Sequence, residues 1–344
     1  RKGRVKVFSE SYRAFSAGKS NITGNEERLF LCECYDYKQK ELIQSPLNYM
    51  GGKYKLLPQI LPHFPQDIDR FVDLFCGGGN VGINVPCNRV VFNDNNELLR
   101  YMFGTFKNLD KQVTFETIDA IIEKYGLSNT EKYGYDFYGC NSAEGLATYN
   151  SSRYLKLRDD FNHHTNLEYN YYVTLYVLIV YAFNNQIRFN RKGEFNLPVG
   201  KRDFNKKMRE KLSTFIDRLK SGDYSFASHD FRELPTDDWN ENTFVYADPP
   251  YLITCATYNE QDGWNETLEK KLLTYLDNLN ERGIRFALSN VLHSKGKENK
   301  ILLDWIDGNV DRYRVIYLDY NYANSNYQTK DKNSKAEEVL IVNY

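Results

Sequence analysis

Hydrophobic positions in this chain cluster into short apolar runs that end in turn residues, the pattern of strands buried on both faces. Ile68 to Phe75 is the first run and Arg89 to Asn93 the second. After a long gap come Tyr224 to Phe231, Asn242 to Tyr251, Ile284 to Asn290, Tyr313 to Tyr320 and Glu337 to Asn343. Helical spacing appears at Leu56, Leu57, Ile60 and Leu61, directly after Gly51-Gly52-Lys53. It returns from Leu268 to about Arg282, stopped by Gly283, and from Asn299 to Ile306, stopped by Gly308. Between Asn95 and about Gly222 the strand pattern stops. That stretch predicts a helix over Arg153 to Asn162, a buried apolar helix over Tyr172 to Phe183 that is too short to cross a bilayer, a hairpin around Gly193, and a charged helix from Lys206 to Lys220. Residues 1 to about 44 keep no sustained period, and no role is assigned to them. Strands and helices alternating on both sides of a long insertion predict an α/β fold, a doubly wound sheet over 45–100 and 223–344 carrying a mostly helical insertion over 101–222.

Composition changes this picture only locally. A chain of 344 residues, 41% hydrophobic and 26% charged, has room for one large domain with an insertion. Its net charge is −1, so no global charge announces a nucleic-acid partner. Ile187 to Lys220, however, holds eleven Lys or Arg against four Asp or Glu, a segregated basic stretch suited to phosphates, part of which a salt-bridged helix would absorb. The six cysteines form no C-x-x-C pair and the five histidines no metal-ligand spacing, which predicts a reduced, metal-free, cytoplasmic protein. No signal peptide is visible, no membrane partner is expected, and the chain begins at Arg1 without a methionine, so it can be part of a longer protein.

The chemistry concentrates at strand ends. The run Val245 to Ala247 passes into Asp248-Pro249-Pro250-Tyr251, where two prolines fix the backbone and hold a carboxylate, carbonyl oxygens and an aromatic ring in a set geometry. The first strand runs into Cys76-Gly77-Gly78-Gly79, and the second ends at Asp94. A strand, a glycine turn, a second strand and an acid form half of a nucleotide-binding sheet, in which the acid takes ribose hydroxyls. Gly77-x-Gly79-x-x-Gly82 also satisfies the dinucleotide fingerprint, which keeps an NAD-dependent oxidoreductase open as an alternative; Asn84-Val85-Pro86 follows too soon for the long helix that cradles a pyrophosphate. In the hairpin, Asn184, Arg188, Asn190, Arg191, Lys192 and, further on, Lys201 and Arg202 supply amides and cations suited to base edges and phosphates of DNA.

Taken in order, Asn48-Tyr49-Met50-Gly51-Gly52-Lys53, Asp73-Leu74-Phe75-Cys76-Gly77-Gly78-Gly79, Asp94 and Asp248-Pro249-Pro250-Tyr251 resemble the Dam-like, α-ordered (D12 class) DNA adenine-N6 methyltransferases. Lesser echoes are Phe183-Asn184, Gly193-x-Phe195-Asn196-x-Pro198-x-Gly200, Ser289-Asn290 and Glu337-Glu338-Val339-Leu340. The resemblance implies a class I methyltransferase sheet, S-adenosylmethionine as cofactor, a flipped-out adenine in double-stranded DNA as substrate, and a restriction endonuclease as a genetic partner. It further implies that Asp94 binds the ribose, that Asp73, Phe75, Gly77 and Gly79 lie at the methionine part, that Asp230 and Phe231 hold the adenine, and that Tyr49 and Lys53 stand at the methionine end. Two departures stand out: Asn185 replaces the usual glycine after Phe183-Asn184, which bears on the recognised sequence (GATC-like by family default), and Tyr49 stands where tryptophan is frequent.

An exocyclic adenine amine is a poor nucleophile because its lone pair is delocalised into the ring. Asp248 and the Pro249 carbonyl are expected to accept its two N–H groups and localise that pair, with Tyr251 stacking on the base and Asp248 acting as acceptor, not as general base or metal ligand. An N-methyltransferase acting on RNA or on a protein glutamine amide remains a second alternative.

Overall fold

The computed structural model describes residues 42–49, 51–140, 143–164, 168–254, 263–319 and 336–344. The expected N-terminal extension lies, but for its last residues, outside them, as do Cys32, Cys34 and Cys255.

A sheet of eight strands carries the fold. Its strands are β1 (Arg70–Asp73), β2 (Arg89–Asn93), β3 (Asp223–Ala227), β4 (Thr243–Ala247), β5 (Arg285–Ser294), β6 (Lys297–Glu298), β7 (Arg314–Leu318) and β8 (Glu337–Val342). They lie in the order β3-β2-β1-β4-β5-β8-β7, with β6 folded back on β5. The first five are parallel, whereas β8 runs antiparallel to both β5 and β7. β1 and β4 are neighbours from which the chain winds in opposite directions, so the carboxyl ends of β1 and β4 define the switch point where open α/β sheets bind ligands.

Every strand predicted from the apolar runs is present: β2 has the expected bounds, β5 runs on to Ser294, and the others are shorter than expected. The reason is chemical: Phe75, Phe231 and Tyr251 extend the apolar pattern but sit in turns, where their rings pack over the sheet edge. One core face packs Val72, Val245, Phe286, Leu288 and Ile341 against Leu272, Leu276 and Leu279 of helix Glu266–Glu281 and Leu302 of helix Lys300–Asp307.

The insertion is helical, with α1 (Glu97–Asn108), α2 (Lys111–Tyr125), α3 (Ala147–Asn162), α4 (Tyr169–Tyr181) and α5 (Lys206–Ser221). Leu175 to Tyr181 of α4 are buried without interruption, as an all-apolar helix requires. Neither α1 nor α2 is evident from the apolar pattern, although both carry side-chain N-caps, Asn96 and Asp110. α1 crosses the boundary expected at residue 100, and its Phe103 and Phe106 pack against Phe226 of β3 and Tyr176 of α4. Leu42–Tyr344 forms one compact unit, so the insertion is built onto the sheet through α1.

Candidate active site

β4 ends at Ala247, and Asp248 is the next residue, at the switch point. The Lys53 ammonium lies 2.9 Å from Asp248 Oδ1, and the Tyr251 hydroxyl donates to the same oxygen at 3.0 Å. Lys53 also donates to the Gly51 carbonyl, and its ammonium sits 4.8 Å from the Tyr251 ring centroid. Glu338, the second residue of β8, closes the group: its Oε1 is 3.0 Å from the Tyr251 hydroxyl and 3.5 Å from the Lys53 ammonium. The Lys53 and Glu338 side chains are 4% and 1% exposed, while Asp248 keeps 17%. Both partners of Asp248 converge on Oδ1; among the described residues nothing donates to Oδ2. Burial pushes the Asp248 carboxyl above the usual carboxylate range, Lys53 and Tyr251 pull it down, and Glu338 adds to the rise.

Alongside lies the glycine turn. Leu74 donates its N–H to the Tyr246 carbonyl and so ties the turn to β4. Buried Asn93, the last residue of β2, fastens three segments: its amide donates to the Leu74 and His229 carbonyls and its oxygen accepts the His229 N–H. Asp94 accepts N–H bonds from Gly77 and Asn96, yet burial still raises its carboxyl. The charge of Asp94, more than burial, pushes the Tyr49 phenol well up. Gly77 has φ +48°, and a Cβ there would lie 2.7 Å from the Tyr49 ring, so a glycine is needed for the tyrosine to cross the turn. Phe75 and Phe231 pack at 5.6 Å, and Trp264 meets Phe75 edge-on at 5.7 Å.

D12 class N6 adenine-specific DNA methyltransferases match this chain over residues 49–332, a span holding the glycine turn, Asp94 and the Asp-Pro-Pro-Tyr turn. The chain belongs to that family. It is 42% identical over 311 residues to Modification methylase StsI of Streptococcus sanguinis, covering 89% of this chain and 43% of that protein. It is 38% identical over 314 residues to Type II methyltransferase M.FokI of Planomicrobium okeanokoites, covering 90% and 44%. A DNA adenine methylase of Salmonella typhi is 27% identical over 248 residues, 71% of this chain and 79% of that one. The chain thus spans less than half the length of StsI and M.FokI. Class I methyltransferase architecture, which the D12 family shares, is the doubly wound sheet seen here.

Within this D12 site the structure gathers Tyr49, Phe75, Gly77 and Asp94 at one end and Lys53, Asp248 and Tyr251 at the other. Of the residues expected at the cofactor, Lys53, Asp73, Gly79, Asp230 and Phe231 make the following contacts within the protein. Lys53 pairs with the Asp248 carboxylate, because a buried acid draws the nearest cation. Asp73 is 2% exposed beneath the turn, where it accepts the Gly82 N–H at 3.0 Å; burial pushes its carboxyl up to about 8. Gly79, with φ +74°, faces Phe215, Phe92 and Phe103. Asp230 is held by Arg232 at 2.7 Å, and this bond lowers its carboxyl. Buried Phe231 is 3% exposed in the aromatic cluster.

The hairpin is made of isolated bridges, Ala182 with Val199 and Phe189 with Phe195, not of a ladder. Asn184 and Asn185 both adopt positive φ, 56° and 53°, and the Asn185 amide bonds back to the Val180 carbonyl, which is how asparagine fills a glycine position. Arg188 is folded onto Asn196 at 2.8 Å. Asn190 accepts from the Lys192 and Glu194 N–H groups and donates to the Glu194 carboxylate, so its side chain shapes the turn at the tip. Arg191, Lys192 and Arg202 are exposed, and Lys201 bonds the Ala143 carbonyl. Phe183, also exposed, stands beside them, and Asn48 donates to the Asn184 carbonyl, joining the hairpin to the segment before Lys53.

Glu338 and Trp264 escape sequence reasoning as site residues; only the Glu337-Glu338 echo hinted at the first. Among the described residues no group of three or more His, Cys, Asp or Glu could hold a metal, and no helix is long and apolar enough to cross a membrane.

Proposed function

We propose that this chain transfers a methyl group from S-adenosylmethionine to N6 of an adenine flipped out of double-stranded DNA. The observation that carries this reading is the state of Asp248: Oδ1 is pinned by Lys53 and Tyr251, and Oδ2 is left to accept an amine N–H beside the glycine turn. The donor set fits the cofactor. Asp94 and Asp248 both stand at the strand ends, and among the described residues Lys53 is the one cation paired with either. A site short of positive charge favours a cationic sulfonium and disfavours the pyrophosphate of NAD. The glycine turn leads only to the three-residue turn Gly82–Asn84, with no helix for a pyrophosphate, which supports the same choice.

Asp94 would take the ribose hydroxyls, and Phe75, Phe231 and Trp264 would wall the adenine ring. S-adenosylmethionine supplies a methyl group on a positively charged sulfur. Asp248 Oδ2 and the Pro249 carbonyl draw the two N–H groups of the target amine out of conjugation. With its lone pair so localised, the amine would be ready to take the methyl group that the cofactor supplies, Asp248 serving as acceptor and the surplus proton leaving to water. The Tyr251 ring is buried with its hydroxyl between two carboxylates, which supports a role in holding Asp248 in preference to stacking on the base. Arg191, Lys192 and Arg202 would hold phosphates while the base leaves the stack, at a cost of about a few kcal/mol. The modification-methylase names of the relatives support protection of DNA against a cognate restriction endonuclease as its role.

Expression in a host that lacks N6-methyladenine, followed by mapping of that base, tests the activity. Methylation at one recurring site is expected, and Asp248→Ala should abolish it while S-adenosylhomocysteine and DNA still bind. A variant that loses cofactor binding instead would refute the assigned role.

A further inference from the structure

Glu338 is a fully buried carboxylate that the adenine mechanism does not use. It reaches the site because β8 runs antiparallel: the strand begins where its parallel neighbours end, with Val291 of β5 opposite Glu338. Its Oε1 meets the Tyr251 hydroxyl at 3.0 Å and the Lys53 ammonium at 3.5 Å, and both of these groups also hold Asp248 Oδ1. Glu337, the preceding residue, points the other way and bonds exposed His293 at 2.6 Å.

We propose that Glu338 is a positioning residue for methyl transfer: it shares the Lys53 ammonium and the single Tyr251 O–H with Asp248, so that neither is drawn wholly onto Oδ1 and that carboxylate stays a strong acceptor for the amine. The inference rests on the adenine-methylation reading. Without Glu338, Lys53 has one carboxylate in place of two, draws closer to Asp248 and weakens it as an acceptor. The Tyr251 O–H, no longer shared with Glu338, turns further towards Asp248 with the same effect. The other titratable groups around Asp248 are Asp73 on β1, whose interaction with it is repulsive, and Tyr246 on β4, whose hydroxyl is 2.7 Å from Ser289 Oγ.

The pH profile separates this role from a merely structural one, because Glu338 and Tyr251 act on Asp248 with opposite sign. Glu338 raises its carboxyl and the Tyr251 hydrogen bond lowers it. Single-turnover methylation of a duplex oligonucleotide would be followed against pH for the wild type, Glu338→Gln and Tyr251→Phe. Base flipping would be read from the fluorescence of 2-aminopurine at the target position, and S-adenosylhomocysteine binding by calorimetry. Glu338→Gln is expected to flip the base and bind S-adenosylhomocysteine within about twofold of the wild type, to lose roughly tenfold or more in rate, and to move the acid limb to lower pH. Tyr251→Phe is expected to move that limb to higher pH. Limbs that stay put, or that move in the same direction in both variants, overturn the proposal, as does a wild-type rate in Glu338→Gln. If the wild-type control leaves every adenine unmodified, the parent reading falls and the role of Glu338 falls with it.

Discussion

Asp73→Asn is a sharp test of the claim that Asp73 supports the glycine turn from beneath. In the folded protein its carboxyl is pushed from 3.8 up to about 8 by burial, with the charges of Asp248 and Asp94 adding to the rise. Between those values the folded state keeps a proton that the unfolded chain has released. Stability attached to this group is therefore complete below the lower value and is lost as pH rises through the window, by about 1.4 kcal/mol per pH unit. From about pH 5 to about pH 7 the loss amounts to roughly 2.7 kcal/mol. Asparagine mimics the protonated acid: its oxygen can still accept the Gly82 N–H and it has no charge to bury. Urea denaturation followed by tryptophan fluorescence at stepped pH should show the wild type weakening towards neutral pH and the variant weakening less, by close to one proton's worth of slope. Asp94 and Asp248 are coupled to Asp73, so the difference reports the response of the three carboxyls together, with the burial of Asp73 its largest part. S-adenosylhomocysteine affinity should stay within about threefold, under about 1 kcal/mol. Parallel pH dependences would refute the burial argument, and a tenfold loss of affinity would return Asp73 to the cofactor.

Gly82→Ala would place a Cβ 2.3 Å from Phe92 Cε1, against a ring already packed on Phe103 and Tyr224, so a loss of about 1–3 kcal/mol is expected; an unchanged urea midpoint would show that the turn relaxes freely. Arg191→Ala should lower the slope of log affinity against log salt by about 0.9 for one phosphate contact, with no change in fold, and an identical slope would move the contact elsewhere. Asn190→Ala should also weaken DNA binding, but through the tip: hydrogen exchange at the Lys192 and Glu194 amides should speed up, and retained protection would contradict a turn-shaping role.

Strand ends were legible because they depend on local order. Asp94 and Asp248 each follow an apolar run, and a parallel sheet must place such residues along one edge. Side-chain convergence was not legible. Lys53 meets Asp248 across nearly two hundred residues, and Glu338 joins only because β8 is antiparallel, a direction that an apolar run does not encode. Asn190 has the residue type of a base reader, and Asn-x-Lys-Gly-Glu is also a local pattern in which the side chain closes its own turn, a contact that residue type alone does not reveal. Helix α1 was missed although its stripe is strongly one-sided: Leu99, Met102, Phe103 and Phe106 carry the packing, while exposed Tyr101 and mid-helix Gly104 interrupt the run.

The direction of β8 also explains why the site can be rigid although its best-known element is a turn. At the carboxyl edge of a parallel sheet each strand passes into a loop, so side chains delivered there inherit the mobility of loops. An antiparallel neighbour brings the beginning of its own strand to that edge, and Glu338 is already hydrogen-bonded into the ladder between β5 and β7. The Asp248 turn is thus tied to the sheet twice, through Ala247 of β4 and through Tyr251 to Glu338. Register is then part of the chemistry. Because alternate residues of a strand face opposite sides, a slip of β8 by one position would turn Glu338 away and present Glu337, whose side chain is committed to His293. Val339 to Val342, all buried between β5 and β7, resist such a slip, so the apolar half of β8 fixes the position of its charged end.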